Sequence, residues 1–168
     1  MSTERQEFAY CPYCATPLAT CECGGRPRPV CSACGYVAYR NPTVGVAVVL
    51  TEGGRILLGR RAAGSSYGGR WCIPCGHVEW DEDIRVAARR EMEEETGLVV
   101  ELGEIVAVHS NFHNPAQHAV GIWFGATIIG GTLCAGDDLD RVGYYDLSSP
   151  PPLAFPTDQR VLEQLRVG

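Results

Sequence analysis

The sequence predicts an α/β sandwich that follows a small zinc ribbon, and three observations lead to that prediction. Six of the nine cysteines lie before residue 35. Several apolar runs are rich in the β-branched residues that strands favour, and one long charged segment has the spacing of a helix. With 168 residues, the chain can bury a sizeable core. We expect the ribbon to occupy residues 1–41 and the sandwich residues 42–168.

Two C-x2-C pairs, separated by sixteen residues, predict the zinc site. In a cytosolic chain such a cluster is more typical of metal binding than of disulfides. Four thiolates fill a tetrahedral zinc ion and leave no open position, so the metal would have a folding role. The predicted ligands are Cys11, Cys14, Cys31 and Cys34. Cys21 and Cys23 lie between the pairs, near a hairpin tip, and either could replace one of these ligands.

The sandwich is expected to begin with the near-continuous apolar run 44–50, which is typical of a strand buried on both faces. Gly53 and Gly54 predict a hairpin turn into a second strand at 55–61. Further strands are predicted at 105–110 and 120–129, where β-branched and aromatic residues dominate.

Two expectations concern single side chains of these elements. Thr157 follows a proline-rich stretch and is expected to cap a short final helix. Trp123 and Phe124 are neighbours in a predicted strand, so one should lie in the core and the other at the surface.

The charged segment 81–97 predicts the longer helix. Acidic side chains at 81–83 oppose the positive end of the helix dipole, and Gly97 suits the left-handed residue that ends a helix. Glu91, Glu94 and Glu95 stand at i, i+3 and i+4, which places three carboxylates on one helical face. Like charges repel one another in water, but hard Mg2+ binds carboxylate oxygens. The spacing therefore favours a metal site over a solvated face.

Nine positions across the twenty-three residues from Gly76 to Leu98 form one pattern. It reads Gly76, five residues, Glu82, seven residues, Arg90-Glu91-Met92, one residue, Glu94-Glu95, one residue, Gly97-Leu98. This pattern resembles the signature of the Nudix hydrolases and agrees with it at every defined position. The resemblance implies a Nudix α/β/α sandwich with a mixed sheet. It also implies hydrolysis, dependent on Mg2+ or Mn2+, of a nucleoside diphosphate linked to another group.

The same resemblance implies roles for the signature residues. Glu91, Glu94 and Glu95 would be catalytic metal ligands. The carbonyl of Gly76 would be a further ligand, and Glu82 could join through water. Arg90 would hold a carboxylate in place by an ion pair without touching substrate.

The general base is left open by the sequence. Glu91 is one candidate, and the loop GDDLDRV offers Asp137, Asp138 and Asp140, whose alternative role is that of solvated loop acids. His109, His113 and His118 share no metal-ligand spacing and are interpreted as loop or strand-end residues. Cys72 and Cys75 form another C-x2-C pair, but no matching pair follows, so we favour buried thiols over a second zinc site.

The substrate class rests on a weaker resemblance. The chain lacks the Ser-Gln-Pro-Trp-Pro-Phe-Pro element of NADH pyrophosphatases. Its segments CSACGYVAYRNP and PLAF look closer to zinc-ribbon Nudix proteins that include plant FAD and ADP-ribose pyrophosphatases. We therefore expect cleavage of ADP-ribose, FAD or a related dinucleotide with release of AMP. Alternatives are a nucleoside triphosphate or NADH pyrophosphatase, and a non-catalytic nucleotide sensor that uses its ribbon to bind a partner. Substrate-contacting residues are not predicted.

Net charge and hydropathy restrict the classes of molecule that the chain is expected to bind. The formal net charge of -6 argues against general nucleic-acid binding, and the chain has no lysine, which excludes Schiff-base chemistry. No apolar run is long enough to span a bilayer, and the first residues lack a signal-peptide pattern. We expect a cytoplasmic enzyme with a small-molecule nucleotide substrate, whose ribbon buttresses the domain or supports a homodimer.

Overall fold

The computed structural model describes residues 8–167. The chain divides into two compact units, Met1–Asn41 and Pro42–Gly168. Each unit is described by itself below. In the described part, no helix is both long enough and apolar enough to cross a membrane.

The first unit is built on one hairpin. Strand β1 (Leu18–Cys23) pairs antiparallel with β2 (Arg26–Cys31) through a tight turn at Gly24 and Gly25. Both glycines have positive φ angles, 61° and 71°, which a residue with a side chain rarely adopts. The hairpin places Cys31 at the end of β2, and Cys11 and Cys31 are buried.

The second unit contains two four-stranded sheets and two helices. Its elements are β3 (Thr43–Val49), β4 (Thr51–Glu52), β5 (Arg55–Arg61), β6 (Trp71–Cys72), β7 (Cys75–His77), α1 (Ile84–Thr96), β8 (Leu98–Asn111), β9 (Ala119–Gly131), β10 (Leu139–Asp146) and α2 (Pro156–Val167). One sheet has the order β7-β3-β9-β8, with β3 and β9 parallel and the other pairs antiparallel. In the other sheet, β5 pairs with β10, β4 and β6, always antiparallel.

Apolar side chains cover the mixed sheet on both faces. Phe124 of β9 packs in one cluster with Ala88 and Met92 of α1. Its neighbour Trp123 packs in a second cluster that includes Leu162 of α2. The predicted α/β/α sandwich with a mixed sheet is therefore confirmed. The expectation that Trp123 or Phe124 would lie at the surface was wrong, because a sheet covered on both faces buries both neighbours.

Helix α1 begins and ends close to the residues that its sequence predicts. The Asp83 carboxylate accepts a hydrogen bond of 2.8 Å from the Arg85 backbone N–H and caps the first turn. Gly97 closes the helix with a φ of 68°, and its N–H donates to the Glu93 carbonyl. Both caps fix the register of the glutamates between them.

Other boundaries differ from the prediction. Strands β8 and β9 are several residues longer than the apolar runs, because they continue together as a paired ribbon. The segment predicted as one acidic loop contains the start of β10, so Asp140 lies in a strand. Helix α2 already begins at Pro156, which is common at a first helical position. Thr157 is thus a buried residue of the first turn instead of the cap.

Candidate active site

A cavity of about 450 Å³ opens in the second unit. Its wall combines strands β3, β7 and β9, helices α1 and α2, and several loops. Carboxylates form one part of this wall: Glu79, Glu91, Glu95, Asp137, Asp138 and Asp158. Aromatic and amide side chains form another part, which includes Tyr67, His113 and Phe155. The cavity therefore has the mixed polar and apolar lining of a small-molecule site.

Glu95 is the most deeply buried carboxylate of the signature, with 1% of its surface exposed. Its Oε2 accepts a hydrogen bond of 2.7 Å from the Cys75 backbone N–H. Burial raises the pKa of Glu95 to about 10, and burial also raises the pKa of Glu91 despite its contact with Arg90. Two carboxylates that resist ionisation in the wall of one cavity gain most from a cation placed beside them.

Gly76 lies directly beneath the Glu91 carboxylate. A Cβ at this position would stand 1.9 Å from Cδ of Glu91 and 2.1 Å from its two oxygens. Any larger residue would have to displace that carboxylate, so glycine at this position lets the carboxylate keep its place. This contact accounts for the first position of the signature.

Arg90 joins the acidic side chains of the signature. Its Nε and Nη2 donate to both oxygens of Glu82, each at 2.8 Å, and Nη1 donates to Glu91 at 2.9 Å and to Glu94 at 3.0 Å. Nη2 also donates to the His77 carbonyl at 3.1 Å. The guanidinium lowers the pKa of Glu82, and the bond to Glu82 contributes most to the raised pKa of Arg90. The planar guanidinium of Arg90 thus uses its five N–H groups to orient three carboxylates.

The structure brings only part of the predicted ligand set into the cavity. Glu91, Glu95 and Gly76 line it, whereas Glu94 is exposed and contacts Arg90. Glu82 is likewise held by Arg90 outside the lining. No three of these glutamate side chains bring oxygens within 4.8 Å of one another; in the described residues, only the four cysteines form such a group. The donors themselves are hard carboxylate oxygens, which suit Mg2+ or Mn2+.

The three aspartates considered as general bases differ in their position relative to the cavity. Asp138 and Asp137 line the cavity, whereas Asp140 pairs with Arg60 at 2.7 Å and is not among the lining residues. Asp138 uses Oδ2 to bind Arg61, and its Oδ1 is a buried atom for which the structure shows no hydrogen-bond partner. Asp138 therefore lines the cavity with one carboxylate oxygen held by Arg61 and the other buried and without a hydrogen-bond partner in the described part of the chain.

The predicted buried thiols lie next to the carboxylates. Cys72 is buried and Cys75 half-buried, and Sγ of Cys72 lies 3.8 Å from the Gly59 carbonyl. Hydrogen bonding to Cys72, followed by burial, raises the pKa of Cys75. Neither residue belongs to a metal-ligand cluster in the part of the chain that the structure describes.

Sequence reasoning missed Asp158. Only 1% of its surface is exposed, its Oδ2 accepts from the Ile73 N–H at 3.0 Å, and its Oδ1 accepts from Nε1 of Trp123 at 3.2 Å. Burial raises its pKa to about 7. The sequence did contain an indication of its burial: Val161 and Leu162 follow Asp158 at i+3 and i+4, so all three share one face of the helix. Asp158 is thus an acid on the apolar stripe of α2.

Asp158 should give the stability of the chain a defined pH dependence. Its folded pKa of about 7 lies above the ordinary 3.8, so the folded chain holds a proton that the unfolded chain has released. The free energy of unfolding therefore falls as the pH rises between these values. Asp158→Asn removes this titration. The stability advantage of the native chain over the variant should shrink by about 3 kcal/mol between about pH 4 and 7.5. Urea unfolding at both pH values measures the change, and an advantage that grows with pH would contradict the assignment.

The cysteine cluster lies in the first unit. Sγ of Cys11 lies 3.5 Å from that of Cys34, and Sγ of Cys14 lies 3.4 Å from that of Cys31. The four sulfur atoms all fall within 4.8 Å of one another. Cys21 and Cys23 lie on β1 and are not part of this group. The cluster fits a zinc ribbon in which the sulfur atoms of the two C-x2-C pairs are the candidate ligands.

Comparisons with known proteins agree with this geometry. The family model described as NUDIX domain matches residues 39–165. The ADP-ribose pyrophosphatase of Methanocaldococcus jannaschii is 33% identical over 132 residues, which are 78% of this chain and 78% of the relative. The CTP pyrophosphohydrolase of Escherichia coli is 44% identical over 64 residues, and the match spans 38% of this chain and about half, 47%, of that protein. The crystal structure of a Nudix hydrolase from Nitrosomonas europaea superposes with a TM-score of 0.80. It is 27% identical, and the match covers 96% of this chain and 94% of that one.

Proposed function

The chain belongs to the Nudix family, and we propose that it hydrolyses the pyrophosphate bond of a nucleoside diphosphate derivative with the help of Mg2+ or Mn2+. The favoured substrates are ADP-ribose, FAD or a related dinucleotide, with AMP as one product. The observation that carries the proposal is the placement of Glu91 and Glu95 together in the wall of one cavity. A cation there would neutralise the diphosphate and lower the pKa of a bound water.

Each signature residue receives a role from its contacts. Glu91 and Glu95 would hold the cation at the cavity, and Glu94 would do so from its rim. The Gly76 carbonyl is a further candidate ligand, and Glu82 would act through water. Arg90 would position these groups, because it binds Glu82, Glu91 and Glu94 at once.

We assign the general base to Asp138 in preference to the other candidates. Arg61 fixes one carboxylate oxygen of this lining residue, and the other, although buried, has no hydrogen-bond partner among the described residues and would be the proton acceptor. Glu91 is already bound by Arg90 and lies against Gly76. Asp140 is paired with Arg60 outside the lining. Asp137 lines the cavity but forms no ion pair in the part of the chain that the structure describes, so Asp138 is the better oriented acid.

The substrate preference rests on the archaeal relative, which is described as an ADP-ribose pyrophosphatase and matches most of this chain. A second candidate is a nucleoside triphosphate, because the shorter match is to a CTP pyrophosphohydrolase. NADH is a less favoured alternative. A nucleotide sensor without activity is disfavoured, since the signature carboxylates are all present.

Product analysis tests the proposal. Purified protein is incubated with Mg2+ and, separately, ADP-ribose, FAD, NADH or CTP, and the products are separated by chromatography. We expect AMP and ribose 5-phosphate from ADP-ribose, AMP from FAD, and no release when excess chelator is present. Preferential release of pyrophosphate from CTP would show that the preferred substrate is a nucleoside triphosphate. Binding without cleavage of any compound would favour the sensor.

A further inference from the structure

Three aromatic rings meet at one part of the cavity wall. The rings of Tyr67 and His113 lie with centroids 5.5 Å apart, and Phe155 lies 5.6 Å from each of them. Tyr67 contacts both partners edge to face, which is the arrangement that aromatic pairs prefer. These three residues are called the aromatic cluster below. They come from three separate loops, so only the tertiary fold brings them together.

The loop that carries Tyr67 is held in a tight conformation. Tyr67 has a φ of 61°, which is uncommon for a bulky residue, and its carbonyl accepts a bond from Arg70. Gly68 approaches the backbone of Ala62 and Ala63 so closely that an added Cβ would stand 2.9 Å from each carbonyl oxygen. The loop therefore holds Tyr67 in a locally strained conformation at the cavity wall, and 41% of the surface of this residue is exposed.

Arg61 connects the aromatic cluster to the carboxylates. Its guanidinium lies 5.6 Å from the centre of the Phe155 ring, and its Nη2 donates to Asp138. Its Nε donates to the Ser66 carbonyl at 2.6 Å, beside Tyr67. A positive group therefore stands between the rings and the acidic part of the wall, where the phosphates of a bound nucleotide would pass.

Two glycines on neighbouring strands form part of the cavity wall beside Trp123. Gly45 of β3 and Gly121 of β9 are register partners, and both line the cavity. An added Cβ at Gly121 would stand 2.5 Å from the Trp123 indole, so this glycine lets the indole lie against the strand. The indole therefore covers the wall at Gly121, whereas Gly45 adds no side chain to it.

We propose that the aromatic cluster of Tyr67, His113 and Phe155 is the subsite that stacks on the planar base of the nucleotide substrate. The inference rests on the proposed function and names the residues by which the enzyme would recognise a base. The other exposed or large aromatic residues of this region fit the role less well. Trp123 also lines the cavity, but its indole is buried, lies against Gly121 and donates to Asp158. Phe124 is buried, and Phe112 pairs with His118 outside the cavity lining.

Two measurements on Tyr67→Leu test the subsite. The first is calorimetric titration with AMP, which carries a base, and with ribose 5-phosphate, which does not. Loss of one stacking ring should weaken AMP binding roughly tenfold and leave ribose 5-phosphate unchanged. The second is ADP-ribose hydrolysis, in which KM should rise by a similar factor with kcat within about twofold. Tyr67→Phe keeps the ring and should retain native values.

Phe112→Leu is the matched control, because this exposed ring lies outside the cavity lining. It should bind AMP like the native chain. AMP affinity that is equal in the native chain and Tyr67→Leu would overturn the subsite, even if ADP-ribose is hydrolysed. A selective loss of AMP binding in Tyr67→Leu would support the subsite even if no dinucleotide in the panel is cleaved. The two proposals can therefore fail separately.

Discussion

Glu95→Gln should lower kcat by about a thousandfold or more while the metal-free protein becomes no less stable. The substitution keeps the shape of the side chain and its acceptor for the Cys75 N–H, but it removes a carboxylate from the cavity. The carboxylate is buried and has a pKa raised to about 10, so the neutral amide imposes no larger burial cost. Turnover with saturating Mg2+ and thermal unfolding in chelator measure the two effects.

Glu93→Gln is the matched control on the same helix. Glu93 is exposed and is not part of the cavity lining, so its replacement should leave kcat within about twofold of the native value. A comparable loss of turnover in both variants would indicate a general effect of charge on α1. Native turnover in Glu95→Gln would remove Glu95 from the proposed metal site.

Cys31→Ser should abolish zinc binding and unfold the first unit. Cys31 is buried, and its sulfur belongs to the four-sulfur cluster. The unit has little core of its own, and structural zinc supplies roughly 10 to 16 kcal/mol of apparent binding free energy in small zinc domains. Elemental analysis should give about one zinc per native chain and a fraction of that in the variant. Limited proteolysis should then cut selectively before residue 42.

Cys21→Ser is the matched control for Cys31→Ser. Cys21 is exposed on β1 and lies outside the cluster, so the variant should keep its zinc and resist proteolysis like the native chain. Zinc retained in Cys31→Ser but lost in Cys21→Ser would show that an inner cysteine is a ligand. That result would restore the alternative that the sequence left open.

The sequence was most informative where structure depends on neighbours in the chain. The caps at Asp83 and Gly97 follow from local hydrogen bonding, and the spacing of Glu91 and Glu95 on one turn fixes their common face. The C-x2-C pairs are likewise local, since each turn presents two thiolates. The family comparison confirmed the fold and the class of enzyme that the signature implied.

Contacts between distant segments were beyond sequence reasoning. Nothing near Tyr67 in the chain indicates that it meets Phe155, and the pairing of Arg61 with Asp138 depends on β5 lying beside β10. Helical spacing put Glu94 on one face with Glu91 and Glu95, and the contact of its exposed carboxylate with Arg90 was not foreseen; its role as a metal ligand stays a prediction. Homodimer formation and a cytoplasmic location stay predictions.

The parallel pairing of β3 with β9 has a consequence for folding during synthesis. Thr43 pairs with Ala119, so β3 leaves the ribosome long before its parallel partner exists. Until β9 arrives, the apolar faces of β3 and α1 lack the strand that carries Phe124. Such non-local pairing slows folding, because loop closure precedes the contacts that stabilise it. The first unit, with its local hairpin, can fold early, whereas the carboxylates of the cavity wall acquire their buried setting only when the second half of the chain has emerged.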